Sequence, residues 1–158
     1  MNEEDLKHLR RSVELAAEGL KKGNRPFGSV LVSEDGNVLY EDYNQIGSGD
    51  NTRHPEFSIA RWAAENMAPD ERGKATVYTS GEHCPMCAAA HGLVGLGRIV
   101  YASSSKQLAE WLGEMDFDES SRLRRLPIEE VIRDTEIDGP VPELADEVKE
   151  LHRKYYTE

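Results

Sequence analysis

Thr76-Val77-Tyr78-Thr79-Ser80-Gly81-Glu82-His83-Cys84-Pro85-Met86-Cys87-Ala88-Ala89-Ala90-His91-Gly92-Leu93-Val94-Gly95-Leu96-Gly97-Arg98-Ile99-Val100-Tyr101-Ala102 is the stretch whose reading decides the fold. β-Branched and aromatic residues predict a short strand over 76–79. Proline at the first helical position and a small apolar composition predict a helix over 85–96, broken at Gly97. A buried strand follows over 98–102.

Outward from this unit, residues 5–22 read as an amphipathic helix, with Leu6, Leu9, Val13, Leu15, Ala16 and Leu20 near the 3.6 period. Gly23 stops it. Residues 27–33 and 38–43 read as strands joined across Asp35-Gly36, a hairpin pattern. A polar loop over 44–53 leads to a helix over 55–67, again with proline at its start. Residues 106–112 read as helical. Residues 123–138 are ambiguous, read as a helix and then a short edge strand at 135–137. Residues 142–156 read as a last helix. Strand-helix-strand alternation after a hairpin implies a mixed sheet covered by helices, the α/β class.

The 158 residues suit one domain, 1–158, with its own core. The formal net charge is −11. A field of that sign repels polyphosphates at long range and argues against a nucleic-acid partner. The dense basic cluster Arg122, Arg124 and Arg125 follows Asp116, Asp118 and Glu119, and reads as a solvated mixed-charge surface. No apolar run approaches a membrane span, and the acidic start Met1-Asn2-Glu3-Glu4-Asp5 is unlike a signal peptide. A cytoplasmic setting is the expectation. The two cysteines, Cys84 and Cys87, form one C-x-x-C, so one local feature must explain both.

His54-Pro55-Glu56 and Cys84-Pro85-Met86-Cys87 each lie where the chain enters a predicted helix. Zinc takes imidazole nitrogen and thiolate sulfur; structural sites close four positions, and catalytic sites keep one open. Three obvious ligands, His54, Cys84 and Cys87, favour an open site. A helix N-terminus favours the thiolates. Glu56, two residues from His54, can reach zinc-bound water without being a ligand and so carry a proton. C-x-x-C alone also fits a redox pair or half a zinc ribbon. The combination of H-x-E, about thirty residues, and C-x-x-C is the pattern of zinc-dependent base and nucleoside deaminases.

On these motifs the chain resembles the cytidine deaminase superfamily, and within it the branch of bacterial guanine deaminases and tRNA adenosine deaminases. Arg25-Pro26-Phe27-Gly28-Ser29-Val30 is similar to that branch's P-F-G-A-V, Asp50 to Glu56 to D-P-T-A-H-A-E, and Glu82 to Cys87 to E-P-C-P-M-C. The resemblance implies a three-layer α-β-α fold with a mixed five-stranded sheet flanked by helices, a homodimer, one Zn2+ per subunit and hydrolytic release of ammonia. It implies His54, Cys84 and Cys87 as ligands, Glu56 as proton shuttle and Asn44 as the amide that bonds the base. Read from residues alone, Asn44 is a strand-end turn cap, and Phe27 is core or pocket wall.

Three positions depart from the branch. Pro55 lacks the backbone N–H that relatives use to hold a substrate carbonyl. His83 replaces a proline, and Arg53 a small residue; both are candidate substrate contacts. Asp116-Phe117-Asp118-Glu119-Ser120 resembles an F-D-D-S stretch of guanine deaminases, so Asp118 or Glu119 is a candidate partner for the two adjacent donors of guanine. Tyr155-Tyr156 is a candidate pocket cap or a surface pair. Guanine is the first candidate ring. Alternatives are a tRNA adenosine deaminase-like activity, cytosine, pterin or triazine rings, or, from another class, a zinc-stabilised binding module. Glu56 argues against the last.

Overall fold

A computed structural model describes residues 1–117 and 121–158. The elements in chain order are α1 (Glu3–Lys21), β1 (Gly28–Val32), β2 (Val38–Tyr43), α2 (Pro55–Asn66), α3 (Pro69–Lys74), β3 (Thr76–Gly81), α4 (Pro85–Val94), β4 (Ile99–Ser103), α5 (Ser105–Glu114), β5 (Ile137–Asp138) and α6 (Pro142–Thr157). Single 3-10 turns occupy Ile46–Ser48 and Ile128–Glu130. The sheet runs β2-β1-β3-β4-β5. β1 pairs antiparallel with β2 and β3, whereas β3-β4 and β4-β5 are parallel. This is the three-layer α/β/α architecture with a mixed five-stranded sheet.

Alternation along the strands builds the two faces. Val30, Val32, Tyr78, Val100 and Ala102 meet Leu9 and Val13 of α1 with Leu144 and Val148 of α6. Leu31 and Val77 meet Ile59, Ala60 and Ala63 of α2. Ile99 and Tyr101 meet Ala88 of α4 and Ile128.

Two sequence expectations change. α4 ends at Val94, because Gly95 takes the left-handed cap conformation (φ 75°) before Gly97 is reached. No α-helix forms over 123–134. Pro127 steers Leu126 away from helical backbone, and the Ile128 N–H donates to Glu82 Oε2 (2.9 Å). The helix α3 lies in a stretch for which the hydrophobic period offers no signal.

α1 crosses β1 at Gly28, where an added Cβ would collide with the Ser12 carbonyl oxygen and lie 2.6 Å from the Ala16 nitrogen. Gly28→Ala is therefore expected to lower unfolding free energy by about 1–3 kcal/mol, read as a reduced urea midpoint. An unchanged midpoint would refute the close approach.

Asp5 ties the start of α1 to the far edge of the sheet. Its Oδ1 accepts from Arg98 Nη1 (2.8 Å) and Tyr78 Oη (2.7 Å), and Arg98 also pairs with Asp138. Burial alone would raise the Asp5 pKa, but the bonds from Arg98, Tyr78 and Asn2 hold it at about 2, below the ordinary 3.8. A depressed carboxylate pKa stabilises the fold above the unfolded value and is lost as pH falls through the folded one. The stability gap between wild type and Asp5→Asn is expected at pH 7, to shrink from about pH 4 and to be lost only as pH falls below about 2. Denaturant titrations across that range check it; a gap independent of pH would remove the ion pair as its cause.

Candidate metal centre and pocket

Two proline-started helices aim their first turns at one point. His54 caps α2 in extended backbone with Pro55 at the first helical position, and Cys84 does the same for α4 with Pro85. Cys87 sits three residues on, buried under α4. His54 Nδ1 lies 3.5 Å from the sulfur of Cys84 and 3.5 Å from that of Cys87. All three donor atoms fall within 4.8 Å of one another. Tetrahedral zinc with ordinary Zn–S and Zn–N bonds places nitrogen and sulfur about 3.5 Å apart. The donor set thus fits zinc in both chemistry and spacing, and leaves a fourth position to a non-protein ligand.

The thiols are poised for a cation. Cys84 falls to about 4, chiefly because the Cys87 thiol hydrogen-bonds to it, with His54 assisting against burial. Cys87 rises well above its ordinary value through the same bond and through burial. A metal ion bound there would take the place of their shared proton.

Glu56, in the first turn of α2, is 5% exposed. Its Oε1 accepts from Ser29 Oγ (3.1 Å), whose hydroxyl also lies 2.9 Å from Thr79 Oγ1. Burial above all, with a contribution from Cys84, pushes the carboxyl up to about 7 despite His54. Ser29 was legible only as a polar residue inside an otherwise apolar strand. Glu82, from the same motif as the cysteines, sets the walls. Its Oε1 accepts from the Ser105 N–H (2.9 Å) and its Oε2 from that of Ile128, so both following segments are tied to the end of β3.

The centre opens into a cleft of about 670 Å³. Phe27, Pro55 and His83 line it. His83 is 1% exposed, its ring edge-on to His91 at 5.4 Å, and neither ring nitrogen finds a hydrogen-bond partner among the described residues. Asn44 is buried at the end of β2, where its Oδ1 accepts from the Ile46 N–H (3.0 Å), the turn cap that residue chemistry suggests. Arg53 is exposed, donates to Gln45 Oε1 (3.2 Å) and is not among the residues lining the cleft. Tyr156 stacks on His152 and packs against Phe117 and Arg25. Asp118 and Glu119 lie outside the described residues.

Sequence reasoning missed two contributors. His152 lines the cleft from α6, and its signal was its place on the buried Leu144-Val148-His152 face. The cluster Arg122, Arg124 and Arg125, read as mixed-charge surface, lines the cleft as well.

An open histidine-dicysteine centre with a buried carboxylic acid beside it defines a class of metal site. Residues 2–103 match the family described as cytidine and deoxycytidylate deaminase zinc-binding region, and the chain belongs to that family. It is 32% identical over 108 residues to a probable cytosine deaminase of Schizosaccharomyces pombe (68% of this chain, 65% of that one). It is 36% identical over 112 residues to a guanine deaminase of Bacillus subtilis (70% of each). It is 34% identical over 104 residues to a tRNA-specific adenosine deaminase of Haemophilus influenzae (65% and 60%). The chain thus spans about two thirds of the length of these relatives. An X-ray structure of the Bacillus subtilis guanine deaminase superposes with a TM-score of 0.58 at 31% identity, covering 80% of this chain and 84% of that one. Among the described residues, no helix is long and apolar enough to cross a membrane.

Proposed function

We propose that the chain is a zinc-dependent hydrolytic deaminase of a small amino-substituted nitrogenous ring, with guanine as the first candidate. The observation that carries this reading is Glu56, a buried acid beside a three-donor set that leaves one metal position open. A structural zinc site has no use for such an acid. Bound zinc supplies Lewis acidity that brings its water ligand to a pKa of about 7. His54, Cys84 and Cys87 would hold the ion. Ser29 fixes one oxygen of Glu56, which leaves the carboxylate aimed by α2 with little freedom. Hydrolysis adds water to the amine-bearing carbon and expels ammonia. Glu56 takes one proton from the water, places it on a ring nitrogen, and carries the next to the leaving amine.

Phe27 and His83 are the candidate ring contacts at the wall, and Pro55 offers no N–H there. Three relatives bearing three different substrates in their names, at 32–36% identity, leave the ring to experiment. A single domain over 1–158, a homodimer and a cytoplasmic setting belong to the same proposal. Leu93, 87% exposed on α4, is an apolar side chain that a partner would cover. Reduced thiols are what zinc needs. The zinc-loaded protein is to be screened for ammonia release with guanine, cytosine, adenine, their nucleosides, pterin, triazines and a tRNA anticodon stem. Turnover of a small ring supports the reading; turnover of tRNA alone, or of nothing, overturns it.

A further inference from the structure

α2 and α4 bring their first turns together at the metal centre, and they are tied a second time at their other ends. Arg72, half-buried within α3, donates from Nε to the carbonyl oxygens of Ala63 (3.1 Å) and Met67 (3.0 Å), and from Nη2 to that of Ala64 (2.9 Å). Ala63 and Ala64 belong to the last turn of α2, and Met67 caps it. Arg72 Nη1 donates to the carbonyl oxygen of Val94 (3.4 Å), the last residue of α4. The last carbonyls of a helix have no partner within it and carry the negative end of its dipole. One guanidinium therefore closes both helices. Among the described residues, the hydrogen bonds of Arg72 all go to these carbonyls. α3 is seated against the chain leaving α4, since an added Cβ at Gly97 would collide with the Gly73 carbonyl oxygen.

We propose that Arg72 is a positioning residue for the metal centre: by closing α2 and α4 at their far ends it fixes their axial alignment, and so the approach of His54 to Cys84 and Cys87. This rests on the zinc centre of the deaminase reading, whatever ring is deaminated. Neither helix has a proline past its first position. Each is therefore stiff along its axis, and a slide at one end is carried to the other. Ala60 and Ala63 of α2 share one apolar cluster with Ala90 and Val94 of α4. Side chains that small set how close two helices lie more than how they align along their axes. The alignment shows at the centre as the two 3.5 Å spacings from His54 Nδ1 to the cysteine sulfurs. Metal donors must fall within about 0.2 Å of their ideal places, so a small slide weakens the site. The planar guanidinium presents five N–H groups in fixed directions and can span two helix ends. A lysine ammonium keeps the charge but not that span.

The test measures zinc affinity, by chelator competition starting from the zinc-loaded protein, and the visible spectrum of the cobalt(II)-loaded protein. Arg72→Ala is expected to weaken zinc binding by about tenfold, as loss of groups that support metal ligands does, and to alter the cobalt absorption bands. Arg72→Lys separates alignment from stability. It should recover much of the melting temperature lost in Arg72→Ala while keeping the weakened affinity and the altered bands. Zinc affinity in Arg72→Ala within about twofold of wild type overturns the proposal. Affinity that merely follows melting temperature across the three proteins also overturns it, because that is the mark of a helix cap and nothing more. Should Arg72→Ala fail to fold, Arg72→Lys decides, and wild-type affinity and bands in that variant overturn the proposal. A wild type that takes up no zinc overturns the metal centre itself. Zinc held with this arginine dependence, but with no ring turned over, keeps the alignment role and overturns the deaminase.

Discussion

Glu56→Gln is expected to reduce ammonia release by about 10²–10⁴-fold, the usual worth of a positioned general acid-base group, with zinc content unchanged. Glutamine has the shape of glutamate, and its amide oxygen can still accept from Ser29 Oγ, so the first turn of α2 keeps its packing. What it cannot do is take a proton from water and return it. Glu56 is not one of the three clustered donors, so metal stoichiometry should stay at one. Elemental analysis and a thermal melt, run beside the ammonia assay, separate lost chemistry from lost structure. Normal turnover by the variant would end the deaminase reading.

Cys87→Ser is expected to abolish zinc binding, and with it all turnover. Cys87 is fully buried under α4, and its sulfur is 3.5 Å from His54 Nδ1. Serine nearly preserves the volume, so packing changes little. A hydroxyl is a far poorer zinc ligand than a thiolate, and two donors do not hold the ion. Because the site forms only in the folded chain, metal binding contributes to folding. The variant should therefore also melt earlier than the zinc-loaded wild type, near the temperature of wild type stripped by a chelator. One zinc retained per chain in Cys87→Ser would remove this cysteine from the ligand set.

The metal centre was legible because each half of it is local. Proline at the first helical position fixes where α2 and α4 begin, so His54 and Cys84 read as residues capping helix starts, and Cys87 follows one turn on. Glu56 was legible for the same reason, as the next side chain but one after a ligand. The strands were legible from β-branched and aromatic residues and short apolar runs, and the hairpin from Asp35-Gly36. The ends of helices were less so. Three glycines fall within Gly92–Gly97, and only backbone conformation selects Gly95 as the stop.

Where the side chains around the centre turn was not legible, since their positions depend on long-range contacts. Asn44 turns its amide oxygen to Ile46, and Arg53 turns its guanidinium to Gln45; neither preference has a sequence period. Arg122, Arg124 and Arg125 carry no mark that separates a pocket rim from a solvated loop. Their neighbourhood is tied to Glu82, whose two carboxylate oxygens accept from the N–H groups of Ser105 and Ile128 at the end of β3. The sequence by itself determined the three donors, the acid beside them and the sheet that carries them, because these are set by helix starts and strand composition over a few residues. Only the tertiary structure decided that an acidic chain places arginines at the mouth of that centre, because a charge's neighbours across the fold are set by packing and not by spacing along the chain.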